Sequence, residues 1–366
     1  MHLYVHVPFC ARRCSYCDFA IAVRRHVPTN DFVGAVLAEW QQWQTHEAWA
    51  DSPVVDTIYF GGGTPSHIEP SGIARIISRI AADRDVAPGA EVTLEANPDD
   101  VTRETAAAWS AAGVNRVSLG VQSFEPAVLA WMHRTHSADQ VAPAIDAIRT
   151  AGIASLSLDL IFGLPAALER CWERDLERAL GLHPEHLSLY GLTVEEHTPL
   201  WRWTTEGRIS PVDEERYAKE FLFAHDTLLR EGYEHYEVSN ASRPGHRARH
   251  NSAYWRRAPF IGLGPSAHSG YRTERRWNLR DWQAYHDALA GGRTLIAGQE
   301  VLGPEAIAME AVYLGLRTRE GLPESALPFQ ARETWIREGW AEAVEGRIAL
   351  TAEGWLRLDA LAASLN

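Results

Sequence analysis

The chain of 366 residues is 46% hydrophobic and 23% charged, with a formal net charge of −13, the balance of an ordinary globular protein of about two domains. That acidity argues against nucleic-acid binding, which needs a basic footprint. Four cysteines are too few for a disulfide scaffold, and three of them fall within eight residues, which points to metal or redox chemistry. The first residues lack the charged and apolar regions of a secretion signal, and no apolar run is long enough to span a bilayer. A cytoplasmic protein is expected. Without a basic amphipathic helix, membrane contact would be peripheral at most.

The predicted elements alternate along the chain. Residues 3–9 alternate like a strand and run directly into Cys10-Ala11-Arg12-Arg13-Cys14-Ser15-Tyr16-Cys17. A helix is expected over 31–44, with Asp31 as its cap and Phe32, Val36, Trp40 and Trp43 near helical spacing. A second strand, 54–60, is cut off by Gly61-Gly62-Gly63-Thr64-Pro65. Ser71 then caps a helix whose Ile73, Ile76, Ile77 and Ile80 share one face. A third strand covers 91–95, and a helix from about 102 stops at Gly113. Strands at 114–121 and 153–162 flank a helix from about 138 to 152. A helix over 168–180, holding Cys171 as a buried thiol, precedes a sixth strand at 185–190. Strand then helix, six times over with short connections, describes a parallel sheet with right-handed crossovers, either an open doubly wound sheet or part of a barrel.

Beyond Pro211 the rhythm changes, dividing the chain into an α/β core over 1–210, a second region over 211–300 and a tail over 301–366. The second region begins with a long helix at 213–231, and its stretch 233–269 is irregular, rich in Gly, Pro, Arg, His and aromatics, as a functional loop would be. The tail is mainly α, with a hairpin-like piece at 345–350, and suits a small winged-helix-like domain. Its surplus of acids leaves it a role as lid, dimer contact or docking site.

Ligands of parallel α/β folds bind at the carboxyl ends of the strands, and the sequence places its chemistry there. Three thiols spaced by three and then two residues follow the first strand. Structural zinc wants four N or S ligands, and no second Cys or Cys/His pair with that spacing is present. An iron–sulfur cluster held by three thiolates would leave one iron open to a substrate or cofactor. The triple glycine lets backbone groups approach a ligand without an intervening Cβ, and no Lys-Ser/Thr follows to make it a Walker loop. Glu95, ending the third strand, could accept ribose hydroxyls or simply cap a helix. Gln122 closes the fourth strand. Asp159 sits in an apolar run and must be paired, by a cofactor hydroxyl or by an arginine such as Arg134.

Cys10-x-x-x-Cys14-x-x-Cys17 resembles the signature of the radical S-adenosylmethionine (SAM) superfamily. Its flanks, Tyr4-Val5-His6-Val7-Pro8-Phe9 and Asp18-Phe19, are similar to the branch holding oxygen-independent coproporphyrinogen III dehydrogenase and the HemW-type heme chaperones. The resemblance implies a partial (β/α)6 barrel, with a [4Fe–4S] cluster on Cys10, Cys14 and Cys17 whose fourth iron is chelated by SAM. It further implies that Gly62, Gly63 and Thr64 meet the methionine amino group and Arg134 its carboxylate. Tyr4, Tyr16, Glu95, Gln122 and Asp159 would surround the remainder of the cofactor.

Two departures separate the chain from the dehydrogenase. Phe19 stands where that enzyme carries a fourth cysteine, and the first strand begins at residue 2 or 3 without that enzyme's amino-terminal extension. In contrast, His250-Asn251-Ser252-Ala253-Tyr254-Trp255 resembles the His-Asn-x-x-Tyr-Trp motif of the chaperone branch. Its flanks Tyr236-Glu237-Val238-Ser239-Asn240 and Gly262-Leu263-Gly264-Pro265-Ser266-Ala267-His268-Ser269 do likewise. A neutral imidazole is a good axial ligand to heme iron, and Tyr254 and Trp255 could pack on the macrocycle. The expected function is therefore a heme chaperone that hands heme to an apo-hemoprotein, such as a respiratory one. The alternative is a radical enzyme that oxidatively decarboxylates a porphyrinogen. The fourteen tryptophans suit a flat apolar ligand or an aromatic core, and are compatible with a homodimer.

Overall fold

Six strands carry the architecture: β1 (His2–Val7), β2 (Val55–Gly62), β3 (Val86–Ala96), β4 (Arg116–Gln122), β5 (Ser155–Phe162) and β6 (His186–Gly191). In this computed structural model, which describes residues 1–365, they lie side by side in chain order, each parallel to the next. The register explains their composition. Glu95, Ser118, Ser157 and His186 form one row across β3 to β6, whereas Leu94, Val117 and Leu156 form the adjacent row on the opposite face. Side chains alternate between the faces of a strand, so one face of this sheet is apolar and the other polar. Helices α1 (Thr29–Gln42), α2 (Pro70–Asp83), α3 (Arg103–Ala111), α4 (Val141–Thr150) and α5 (Trp172–Gly181) join the strands. In α2, Ile73, Ile76 and Ile80 are buried and join the one large core.

Several helix starts differ from expectation. α1 begins at Thr29, with Asp31 in its first turn, and α2 begins with Pro70 at its first position, where a missing N–H costs nothing. α5 begins at Trp172. The preceding segment cannot join it, because Glu169 closes a 3₁₀ turn at a left-handed φ of 48°. Cys171 is thereby half-buried and stands just outside the helix.

The stretch expected to be irregular is ordered. After α6 (Glu214–Arg230) come β7 (Glu234–Glu237), β8 (Asn240–Ser242), α7 (Arg249–Trp255), β9 (Phe260–Leu263), β10 (His268–Tyr271), β11 (Glu274–Asn278), α8 (Trp282–Ala290) and β12 (Ile296–Val301). These strands lengthen the same sheet at both edges, giving the order β12-β11-β10-β9-β1-β2-β3-β4-β5-β6-β8-β7. β9 runs parallel to β1, and the others are antiparallel to their neighbours. The chain thus leaves one edge after β8 and returns at the other through α7.

The tail holds α9 (Pro304–Leu316), β13 (Leu322–Pro323), α10 (Phe329–Arg337), β14 (Ala341–Val344) and β15 (Arg347–Leu350), then two short helices. Its three strands pair antiparallel as β13-β15-β14. The expected hairpin is β14–β15, turned by Glu345 and Gly346 at φ 52° and 77°, the left-handed pair that a two-residue turn requires. An Arg317–Glu237 ion pair of 2.7 Å and Trp355, packed 4.9 Å from the His235 ring, fasten the tail to the large sheet. Among the described residues, no helix is long and apolar enough to cross a membrane.

Candidate cofactor cavity and the plug beneath it

At the carboxyl ends of β1 to β6 a cavity of about 410 Å³ opens on the polar side of the sheet. Cys10, Cys14, Cys17 and Tyr16 line one wall. Gly62, Gly63 and Thr64 line the exit of β2, with Glu95, Gln122, Arg134 and Asp159 beyond them. Tyr4 is not in the lining. It lies one row deeper, its hydroxyl 3.1 Å from His6 Nδ1 and its ring stacked 6.1 Å from Tyr59.

The cysteine loop is closed at its base by two short parallel strands, Phe9–Cys10 and Ala22–Val23. All three thiols are free. Thr64 Oγ1 donates to Cys10 Sγ at 3.3 Å, and Arg134 Nη1 lies 3.6 Å from Cys14 Sγ. Burial pushes Cys10 up to about 11 and Cys17 up to about 12, so these thiols ionise only with positive charge beside them. Among the described residues, no three His, Cys, Asp or Glu side chains converge on one point as a single-ion site requires. Three free, soft donors on one wall do suit a multi-iron cluster, in which each thiolate takes a separate iron.

Glycine is required at the turn after β2 by close approach. Gly62 has φ 113°, and a Cβ there would lie 2.6 Å from the His6 ring; one on Gly63 would lie 2.9 Å from the Pro8 and Phe9 backbone. The turn is locked onto the exit of β1 by N–H groups of Gly63 and Thr64 that donate to Val7 and Phe9 carbonyls at 2.7 and 2.8 Å. At the end of β4 the register with β5 slips, and Gln122 takes a left-handed φ of 65°. Such irregularity at a strand end re-aims a side chain.

The charged groups are unevenly satisfied. Glu95 accepts from the Tyr59 hydroxyl at 2.7 Å and from the Gly62 N–H at 3.1 Å. Asp159 accepts from Ser118 Oγ at 2.9 and 3.1 Å, and burial raises its pKa. Arg134 does not pair with Asp159. Its Nη2 donates to Asn97 Oδ1 at 2.5 Å and to the Gly120 carbonyl at 2.9 Å, and its buried Nε has no partner among the described residues. This guanidinium therefore faces the cavity without a carboxylate.

Burial, reinforced by the carboxylate of Asp159, pushes Glu95 up to about 7 despite its two hydrogen bonds. A folded-state pKa above the unfolded one means the native chain binds the proton more tightly. No penalty exists below the unfolded value near 4.5, and the penalty grows as pH rises through about 7. Glu95→Gln is thus expected to be near neutral at about pH 4 and stabilising by roughly 1–3 kcal/mol at about pH 8. Thermal unfolding of both proteins across that range checks it, and parallel curves would refute the assignment.

Beneath the cavity, α7 closes the amino ends of the strands. Glu91 accepts the backbone N–H groups of Arg249 and His250 at 3.0 and 2.9 Å. His250 is 1% exposed. Its Nδ1 meets Thr57 Oγ1 at 2.7 Å, its Nε2 meets the Tyr254 hydroxyl at 2.8 Å, and its ring stacks 5.0 Å from Tyr59. Burial drives its pKa down to about 3, so the ring stays neutral. Trp255 lies under the Arg317 guanidinium at 4.3 Å. Both ring nitrogens of His250 are engaged, and Tyr59 intervenes between it and Glu95. Removing the ring would strand the Tyr254 hydroxyl, leave Thr57 Oγ1 only its 3.0 Å contact with His2 Nδ1 and open a void, so His250→Ala is expected to cost about 2–4 kcal/mol. Urea denaturation measures this, and an unchanged midpoint would contradict the plug.

Comparison with known proteins identifies the family. The model of the radical SAM superfamily matches residues 4–179. A heme chaperone HemW of Mycobacterium tuberculosis is 36% identical over 99% of this chain and 94% of its own. One from Lactococcus lactis is 34% identical, covering 87% of this chain and 82% of its own. The chain belongs to the HemW family of radical SAM proteins. A coproporphyrinogen III oxidase from Escherichia coli, described as a radical SAM enzyme, has the same fold, with a TM-score of 0.81 over 99% of this chain and 89% of that one at 21% identity. Membership of the radical SAM superfamily implies a [4Fe–4S] cluster and SAM.

In this HemW-family chain the cavity holds residues that motif reading passed over. Asn97, His133 and Tyr190 all line it, as does Phe19, noted in the motif only as the replacement of a fourth cysteine. Asn97 and Tyr190 follow or end strands, so the rule that ligands meet the carboxyl ends could have found them. His133 sits in a loop, and nothing in its spacing marks it. Cys171 does not line the cavity; its thiol lies 3.4 Å from Glu173 Oε2.

Proposed function

We propose that the chain is a heme chaperone that holds heme and transfers it to an apo-hemoprotein, with a [4Fe–4S] cluster and SAM in the cavity of its core. The observation that carries the cofactor assignment is the cavity's wall: three free thiols face a guanidinium and two carboxylates, none of which forms an ion pair within hydrogen-bond distance among the described residues. The heme assignment follows from relatives that are named heme chaperones and align over almost the whole chain.

In this reading Cys10, Cys14 and Cys17 would hold the cluster, and the methionine amino and carboxylate groups of SAM would lie beside it. Arg134 receives that carboxylate, the backbone of Gly62, Gly63 and Thr64 the amino group, and Glu95 the ribose hydroxyls. Tyr16, Gln122 and Asp159 enclose the remainder, while Tyr4 supports it from the row below. When bound, cluster and SAM supply one-electron chemistry, and the protein supplies orientation and exclusion of water. The six-strand core is read as the partial (β/α)6 barrel and the tail as a winged-helix-like module that meets the acceptor. Heme contact through His250, Tyr254 and Trp255 requires α7 to withdraw from Thr57 and Tyr59. The setting is the cytoplasm, with at most peripheral membrane contact.

The test is an anaerobic heme titration of the cluster-reconstituted full chain, followed by mixing with apomyoglobin. Saturable binding and transfer of heme are expected. Porphyrinogen decarboxylation with stoichiometric deoxyadenosine, and no heme binding, would replace the chaperone with the decarboxylase.

A further inference from the structure

We infer that heme docks across the mouth of the cofactor cavity, with the His133 imidazole as an iron ligand. This rests on the heme-chaperone reading and gives heme a place that needs no withdrawal of α7, in place of the contact through His250.

His133 is the first observation. It holds a left-handed φ of 60° at the mouth of the cavity, a conformation that favours glycine and costs a larger side chain free energy. His6, His136, His186 and His250 have ring nitrogens tied to protein partners. That of His133 packs only edge-on against Trp203, at 5.7 Å between centroids, and no hydrogen-bond partner holds either nitrogen among the described residues. A half-buried imidazole with both nitrogens free, beside an open cavity, has the donor that heme iron takes.

The second observation is apolar. Phe19 is 58% exposed and Tyr190 43% exposed, and both line the same cavity, as does Leu192. Exposed aromatic faces gathered around a cavity mark a binding surface, and they suit a flat, apolar ring.

The third is charge. The cysteine loop exposes Arg12, Arg13, Arg24 and Arg25, and none has a carboxylate partner among the described residues. Asp18 is the one acid among residues 10–26 of a chain whose net charge is −13. Arg12 itself lines the cavity. Free guanidinium groups at the edge of an apolar ring site fit a ligand that ends in carboxylates. A metal-centred planar macrocycle carrying two propionates meets all three requirements. The plug offers no competing ligand while both nitrogens of His250 are engaged.

The test uses the cluster-reconstituted full chain and hemin, with anaerobic difference spectra at the Soret band and EPR of the ferric complex. His133→Gly and His133→Asn both accept a left-handed φ, so the fold is retained and thermal unfolding confirms it. Each is expected to weaken hemin binding by about tenfold or more and to lose the axial-histidine signature, with iron–sulfur content unchanged. Added imidazole should restore the signature. Arg12→Glu combined with Arg13→Glu should weaken binding without changing the axial signature. If the wild-type chain binds hemin and both His133 variants bind alike with the same spectrum, the inference falls and the chaperone reading stands. If the wild-type chain shows no saturable binding, both fall.

Discussion

Cys14→Ser is expected to abolish cluster assembly while leaving the fold intact. A serine hydroxyl is a harder donor that does not ionise in such a site, and with only three thiols on the wall the cluster would be left on two. Cys14 is half-buried and belongs to neither apolar cluster, so its replacement should alter stability by no more than about 0.5 kcal/mol. Anaerobic reconstitution followed by iron and sulfide analysis reads the result. Cys171→Ser is the control and should retain a full cluster, because that thiol lies outside the cavity. A cluster retained in the first variant, or lost in the second, would overturn the ligand assignment.

Arg170→Ala is expected to remove about 3–5 kcal/mol of stability, much of what a domain possesses. The guanidinium is buried, donating to the Ile161 carbonyl and to Glu220 Oε2, each at 2.9 Å, with Asp175 at 3.5 Å. Glu220 also accepts the Gly163 N–H at 2.8 Å, and Asp175 accepts from Ser123 and from the Phe124 N–H at 2.6 and 2.9 Å. One arginine therefore holds together the exits of β4 and β5 with α5 and α6. Its removal leaves Asp175 without a cation, where burial already pushes that carboxyl upward, and leaves Glu220 with Arg216 as its one remaining counter-ion among the described residues. Gln122 and Ile161 line the cavity from those two exits, so SAM binding should weaken along with stability. Lysine cannot span the fork, and Arg170→Lys should recover only part of the loss. Urea denaturation of the three proteins decides it, and a loss below about 1 kcal/mol would refute the network.

The alternation of strands and helices through residue 191 was legible because its signals are local: apolar face spacing, a terminating glycine, a motif directly after a strand. The extension of the sheet was not. β7 is Glu-His-Tyr-Glu and β10 is His-Ser-Gly-Tyr, with no apolar alternation to mark them, and β9 finds its partner in β1 at the other end of the chain. Arg134 shows the same limit. Its charge and a nearby buried carboxylate suggested a pair with Asp159, yet the fold gives Asp159 to Ser118 and sends Arg134 to Asn97 and Gly120.

By itself, the sequence determined the family and the chemistry of one wall, because three thiols in eight residues and a triple glycine act through spacing along the chain. Only the tertiary structure decided which groups remain available to a ligand. His250 and His133 are both imidazoles near aromatic residues. The first has both nitrogens taken by Thr57 and Tyr254, and the second has neither taken among the described residues, since hydrogen bonds between distant segments form only once the sheet has brought them together.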